Sequence, residues 1–103
     1  MINLLDNLRI KLVKIAKDAE KYGLCKEKTG NFSIRDESTG YILITPSQVS
    51  RNDLKPENIC ILDSEGNEIE VQKEMNPSRE KLIHLEIYKN KKNIKAVMYT
   101  HSL

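Results

Sequence analysis

Hydrophobic spacing along this chain changes period several times, and that alternation restricts the fold more than any single residue does. From Asn3 to Tyr22 the apolar residues Leu5, Leu8, Leu12, Ile15, Ala16, Ala19 and Tyr22 recur mostly at three- and four-residue steps. That is the spacing of one helix face, with Asn3 placed to cap the helix and Gly23 to stop it. The period then shortens. Phe32 and Ile34 alternate, and Tyr41-Ile42-Leu43-Ile44 and Ile59-Cys60-Ile61-Leu62 are unbroken apolar runs. Asp36-Glu37-Ser38-Thr39-Gly40 and Asp63-Ser64-Glu65-Gly66-Asn67 have turn composition, so the short runs beside them read as strands. The second turn leads into alternating Ile69 and Val71, a local hairpin. Ser50-Arg51-Asn52-Asp53 resembles a capping box opening a single helical turn that Pro56 limits. Pro77 suits the first position of a second helix, from about Ser78 to Asn90. Leu82, Ile83, Leu85, Ile87 and Tyr88 give that helix a broad apolar face. Ile94 to Tyr99 reads as the last strand. No repeat or linker interrupts the pattern, so one domain over residues 1–103 is expected.

Composition narrows the class. A chain of 103 residues has room for one modest core. Its 39% hydrophobic and 31% charged residues suit a soluble globular domain. No apolar stretch approaches the roughly 20 residues that span a bilayer. Met1-Ile2-Asn3-Leu4-Leu5-Asp6 does not read as a signal peptide, because a basic leader is lacking and Asp6 interrupts the apolar run. A net charge of +2 does not point to nucleic acid. Lys89, Lys91, Lys92 and Lys95 read as a solvated helix end, where cations suit the helix dipole. Cys25 and Cys60 lack CxxC spacing, which argues against a disulfide framework or a thiolate zinc site. A reducing, cytoplasmic setting is expected.

Three segments can carry chemistry. Gly30-Asn31-Phe32-Ser33 and Thr45-Pro46-Ser47-Gln48 are small polar loops at strand ends, where amide and hydroxyl donors can wrap an anion. Each is also ordinary turn chemistry. Asn76-Pro77-Ser78-Arg79-Glu80 opens a helix, offering free N–H groups and a nearby carboxylate; Ser and Glu are equally common there as caps. Tyr99-Thr100-His101 sets two side chains on one face of a strand. A strand histidine of this kind is either structural or a metal ligand.

Taken in order, the segments are more specific. Gly30-Asn31-Phe32-Ser33-Ile34-Arg35, Ile42-Leu43-Ile44-Thr45-Pro46-Ser47, Leu54-Lys55-Pro56-Glu57-Asn58-Ile59, Asp63-Ser64-Glu65-Gly66-Asn67, Pro77-Ser78-Arg79-Glu80 and Ala96-Val97-Met98-Tyr99-Thr100-His101-Ser102 resemble the class II aldolase/adducin family. The resemblance covers nearly the whole chain and the amino-terminal half of a typical member. It implies an α/β fold, a mainly antiparallel sheet with helices packed on its faces. It implies zinc-dependent cleavage or isomerisation of a sugar phosphate. In the family a Gly-Asn loop, a Thr-Pro-[Ser/Thr]-Gly loop and a Ser-Ser pair bind phosphate. A following glutamate is the acid/base, and a His-x-His strand end supplies two of three zinc histidines. Carried over by position, Asn31, Ser47, Gln48, Ser78 and Arg79 fall on phosphate-binding positions. Glu80 falls on the acid/base position and His101 on the second zinc position. Three departures stand out: Tyr99 replaces the first zinc histidine, Gln48 the loop glycine, and Arg79 the second serine. The glutamine side chain is expected to hinder an anion's approach to the backbone. His84 lies four residues after Glu80 on one helix face and offers an alternative partner for a two-histidine site.

Three functions are compatible with these residues. The first is a relative of sugar-phosphate aldolases with little or no activity of its own. The second is a non-catalytic module that binds sugar phosphate or, like adducin, a protein. The third is an enzyme whose remaining ligands come from a separate carboxy-terminal half. An open sheet edge beside the last strand is expected to favour a homo-oligomer, a dimer above others.

Overall fold

The computed structural model describes residues 4–26 and 28–100. Helix α1 (Leu4–Lys21) is followed by strands β1 (Asn31–Arg35), β2 (Ile42–Ile44), β3 (Cys60–Leu62) and β4 (Glu68–Glu70), then α2 (Lys81–Asn90) and β5 (Ala96–Tyr99). The strands form one sheet in the order β4-β3-β2-β1-β5. All four pairings are antiparallel. The fold is thus α/β with an antiparallel sheet, as the sequence pattern implies.

Alternation along the strands sorts the residues onto two faces. Ile34 pairs with Leu43, and Leu43 with Ile61, so Phe32, Ile34, Leu43 and Ile61 share one face. They are buried with Leu12, Val13, Ala16 and Ala19 of α1 in the main core. Burial of each large apolar side chain there contributes about 1.5–3 kcal/mol. The register also pairs Ile44 with Cys60 and Ile42 with Leu62 on the opposite face. Ile44, Cys60 and Leu62 make a second, smaller core with Val71 and Met75 packed against it.

Helix α1 stops where Gly23 predicts. Gly23 has φ 80°, and the Leu24 N–H reaches the Ala19 carbonyl at 2.9 Å while the Gly23 N–H reaches Glu20 at 3.0 Å. That pair of bonds is a Schellman cap. The cap expected at Asn3 lies outside the described residues. Two other boundaries differ from expectation. Pro56 opens the short helical turn Pro56–Asn58 instead of limiting one before it; Ser50 Oγ bonds Asp53 Oδ2 at 3.0 Å within an ordinary turn. Pro77 does not start α2. It bridges Pro46, and the helix begins at Lys81.

Three arginines fasten segments that a small core leaves loose. Arg9 ties α1 to the far edge through Glu70 Oε1 at 2.6 Å and the Ile59 carbonyl at 3.0 Å. Arg35 donates to the carbonyls of Tyr88, Lys91, Lys92 and Ile94, closing the end of α2. Arg51 is buried, lies 5.2 Å from the Phe32 ring centre, and donates to the carbonyls of Ala16, Thr29 and Gly30. That last set holds the loop leading into β1.

Gly30 ends this loop at φ 82°, and a Cβ built there lies 3.1 Å from Cys25 Cβ and 3.3 Å from the Tyr99 carbonyl oxygen. Gly30→Ala is therefore expected to lower stability by about 1–3 kcal/mol, from left-handed strain and crowding together. Urea unfolding checks this; an unchanged midpoint would mean that the loop is not held as tightly as described.

Candidate functional site

Two loops meet at one end of the sheet because their backbones are stitched together. The Ser47 N–H donates to the Asn76 carbonyl at 2.8 Å, and the Ser78 N–H donates to the Thr45 carbonyl at 3.0 Å. Between these bonds Pro46 faces Pro77. Thr45 Oγ1 in turn accepts the Phe32 N–H at 3.1 Å, locking the loop after β2 to β1. The result is a cleft of about 240 Å³ lined by Lys28, Thr29, Gly30, Asn31, Pro46, Ser47, Gln48, Ser78, Arg79 and Glu80.

Every described residue that the family resemblance singles out for substrate lines this one cleft. Asn31 and Ser78 are buried, Ser47 and Glu80 are partly exposed, and Gln48 and Arg79 are exposed. Ser78 Oγ accepts the Glu80 N–H at 3.2 Å, just ahead of the first turn of α2. Sequence reasoning overlooked Lys28 and Thr29; their position immediately before Gly30-Asn31 was the available signal. Lys28 and Arg79 supply two cations to the rim and Glu80 one carboxylate.

Gln48 departs from the family glycine in side chain but not in backbone. Its φ is 63°, the left-handed region that glycine occupies freely. Its side chain is exposed at the mouth, also lining an adjacent hollow with Glu74 and Met75. Gln48→Gly is expected to leave stability within about 1 kcal/mol, since relief of strain and loss of chain entropy oppose each other. It is expected to tighten anion binding, measured by titration with inorganic phosphate.

Behind the cleft lies a buried polar network. His84 is fully buried, so of the broad apolar face expected from Leu82, Ile83, Leu85, Ile87 and Tyr88 only Tyr88 is buried, and it shares the inward side with a histidine. Leu82 is 69% exposed, while His84 and Tyr88 are the α2 residues that face inward. His84 Nδ1 is 2.6 Å from Ser33 Oγ, which is 2.8 Å from the Tyr88 hydroxyl. His84 Nε2 is hydrogen-bonded to Asn31 Oδ1. The imidazole is thus committed to the cleft wall. Burial pushes its pKa down to about 4 from 6.5, with the Glu80 charge opposing. Burial likewise pushes the Tyr88 hydroxyl up.

Unfolded His84 takes up a proton below 6.5, whereas the folded residue resists until about 4. Its contribution is complete above 6.5 and is lost as pH falls through that window, about 3 kcal/mol at most. The parent is expected to lose melting temperature more steeply between pH 6.5 and 4 than His84→Gln does. Parallel slopes would show that His84 does not titrate as a buried neutral group.

The metal set implied by the resemblance is not assembled by the described residues. Tyr99 sits opposite Asn31 in the β1–β5 register, but its phenol is a poor zinc ligand near neutral pH. His84 is occupied within the network, which also removes it as half of a two-histidine site. His101 lies outside the described residues. Among the described residues no three His, Cys, Asp or Glu side chains cluster as a metal site. Cys25 and Cys60 are buried and free, and burial pushes the Cys60 thiol up to about 12.

An antiparallel sheet between two helices, with polar loops gathered at one end, defines the chain structurally as an α/β domain. Comparison with known proteins takes this further. The Class II Aldolase and Adducin N-terminal domain matches residues 10–103. A 5-deoxy-D-ribulose 1-phosphate aldolase of Bacillus thuringiensis is 35% identical over 99 residues, which are 96% of this chain and 46% of that protein. An L-fuculose phosphate aldolase of Methanococcus maripaludis is 46% identical over 74 residues, 72% of this chain and 38% of that one. The solved structure of an L-fuculose 1-phosphate aldolase superposes with a TM-score of 0.88 at 28% identity, covering 99% of this chain and 46% of the other. The chain belongs to the class II aldolase and adducin family. It spans less than half the length of these relatives.

Proposed function

We propose that this chain binds the phosphate group of a sugar phosphate in the cleft between the Gly30-Asn31 loop, the Pro46–Gln48 loop and the start of α2. The observation that carries the reading is convergence: Asn31, Ser47, Ser78 and Arg79, from three separate segments, line one small cleft. Their chemistry is that of an anion cradle. Asn31 and the serine hydroxyls donate hydrogen bonds, and Arg79 and Lys28 add charge that a phosphate can meet at short range. Glu80 lies at the same cleft, where a carboxylate can take a proton from the carbon next to a substrate carbonyl. The relatives' names point to ketose 1-phosphates as the class to test.

Catalytic incompleteness is part of the same reading. Zinc, lyase activity and a role in carbohydrate metabolism are what the family implies. With Tyr99 at the first metal position and His84 turned into the wall, this chain by itself is expected to bind without cleaving. Cytoplasmic location and self-association are consistent with the family and are equally proposals. No described helix is long and apolar enough to cross a membrane, and β5 stands at the end of the described sheet.

The test is a calorimetric titration of the purified chain with inorganic phosphate and with L-fuculose 1-phosphate, without added zinc. Saturable binding is expected, weakened about tenfold by Arg79→Ala, as for loss of one charged hydrogen bond. Absence of binding would defeat the reading. Robust aldol cleavage by this chain with zinc would defeat the claim of incompleteness alone.

A further inference from the structure

We infer that His84 is a positioning residue that orients the Asn31 side chain, so that its amide NH₂ and not its carbonyl oxygen serves the cleft. The inference rests on the phosphate reading and says which atom of Asn31 does the binding.

An asparagine side chain presents a donor at one end and an acceptor at the other, and the two ends have nearly the same shape. An anion site needs the donor end. Nothing in the cleft itself enforces that choice; the enforcement comes from behind. The structure directs Asn31 Oδ1 at His84 Nε2. A carbonyl oxygen accepts only, so Nε2 carries the proton and Nδ1 is the acceptor. Ser33 then donates its hydroxyl proton to Nδ1 at 2.6 Å and accepts from the Tyr88 hydroxyl at 2.8 Å.

The same four groups have a second self-consistent polarity, with every proton reversed and Asn31 presenting its oxygen to the cleft. The described contacts select the first, since Asn31 turns Oδ1 and not its NH₂ toward His84 Nε2. The tautomer of His84 thus matches the end of Asn31 that is left for substrate, and Ser33 on β1 and Tyr88 on α2 hold the imidazole from its other side. The relay is fully buried at Ser33 and His84, where water cannot readily substitute for a missing partner.

A double-mutant cycle on inorganic phosphate affinity, measured on the purified chain, tests this. His84→Leu is expected to weaken binding about fivefold to tenfold in the parent and not at all in an Asn31→Ala background. His84→Gln, whose amide can still donate to Asn31 Oδ1, is expected to recover most of the loss. Equal losses in both backgrounds would mean that His84 acts only on overall stability, and parent-like affinity of His84→Leu would overturn the inference. If His84→Leu fails to melt cooperatively, Tyr88→Phe runs the same cycle, expected to lose affinity in the parent and none beside Asn31→Ala. Nitrogen-15 spectra of the histidine that disappears in His84→Gln give an independent reading. Neutral imidazole protonated at Nε2 is expected, and protonation at Nδ1 overturns the inference. A parent that binds no phosphate sinks the functional proposal instead, an outcome separate from any of these.

Discussion

The structure depends most on the contact between β1 and α2, which is polar where a core contact is ordinarily apolar. Alternation sends Phe32 and Ile34 toward α1 and leaves Asn31, Ser33 and Arg35 for the opposite face. Each of the three engages α2 or its end: Asn31 meets His84, Ser33 meets His84 and Tyr88, and Arg35 takes the Tyr88 carbonyl and those that follow. A slip of one residue in the β1 register would exchange the two faces, taking Phe32 and Ile34 out of the main core and breaking the contacts to α2 at once. Hydrogen bonds of this kind tolerate little displacement. They therefore fix the helix along its axis, and with it the Ser78-Arg79-Glu80 segment just before its first turn.

This explains what could be read in advance. Element order was legible because it follows from hydrophobic period, which changes sharply at Gly23, Gly40 and Asn67; the antiparallel sheet came from the family resemblance, with the hairpin at Asp63–Asn67 suggesting it locally. The apolar face assigned to α2 was misread for a physical reason. Counting Leu82, Ile83, Leu85 and Ile87 with Tyr88 assumes that apolar residues choose the inward face; Tyr88 does turn inward, but beside it stands His84 and not the leucines and isoleucines. A buried imidazole and phenol need partners, and Ser33 and Asn31 supply them. Helix propensity likewise suggested a start at Pro77. The tertiary bridge to Pro46 won, since it completes backbone hydrogen bonds on either side that a helical Pro77 would forgo.

The candidate site was legible only as separate loops, each unremarkable alone. Gly-Asn, Thr-Pro-Ser and Pro-Ser-Arg are common turn and cap sequences, and no spacing rule joins Asn31 to Ser78. Their union is a property of the stitched backbone between Thr45–Ser47 and Asn76–Ser78. Family resemblance supplied the grouping that local chemistry lacked. Lys28 escaped even so, because a single exposed lysine carries no pattern until the fold sets it beside an arginine.

Where the chain departs from its family, backbone and side chain separate cleanly. Gln48 keeps a glycine's left-handed conformation at a cost of about 1 kcal/mol, so the loop path is imposed by its surroundings. The same surroundings hold Gly30 between Cys25, Arg51 and the Tyr99 carbonyl. At both positions the main chain is over-determined by neighbours, whereas the outward atoms are free to vary. Tyr99 shows the third case. Its backbone crowds Gly30, and its place opposite Asn31 puts it at the cleft's end of the sheet. A tyrosine there changes the outward side chain and leaves the β1–β5 ladder in place. The backbone and the side chains of β5 thus do separate work, the first fixing β1 and the Gly30 turn and the second open to substitution.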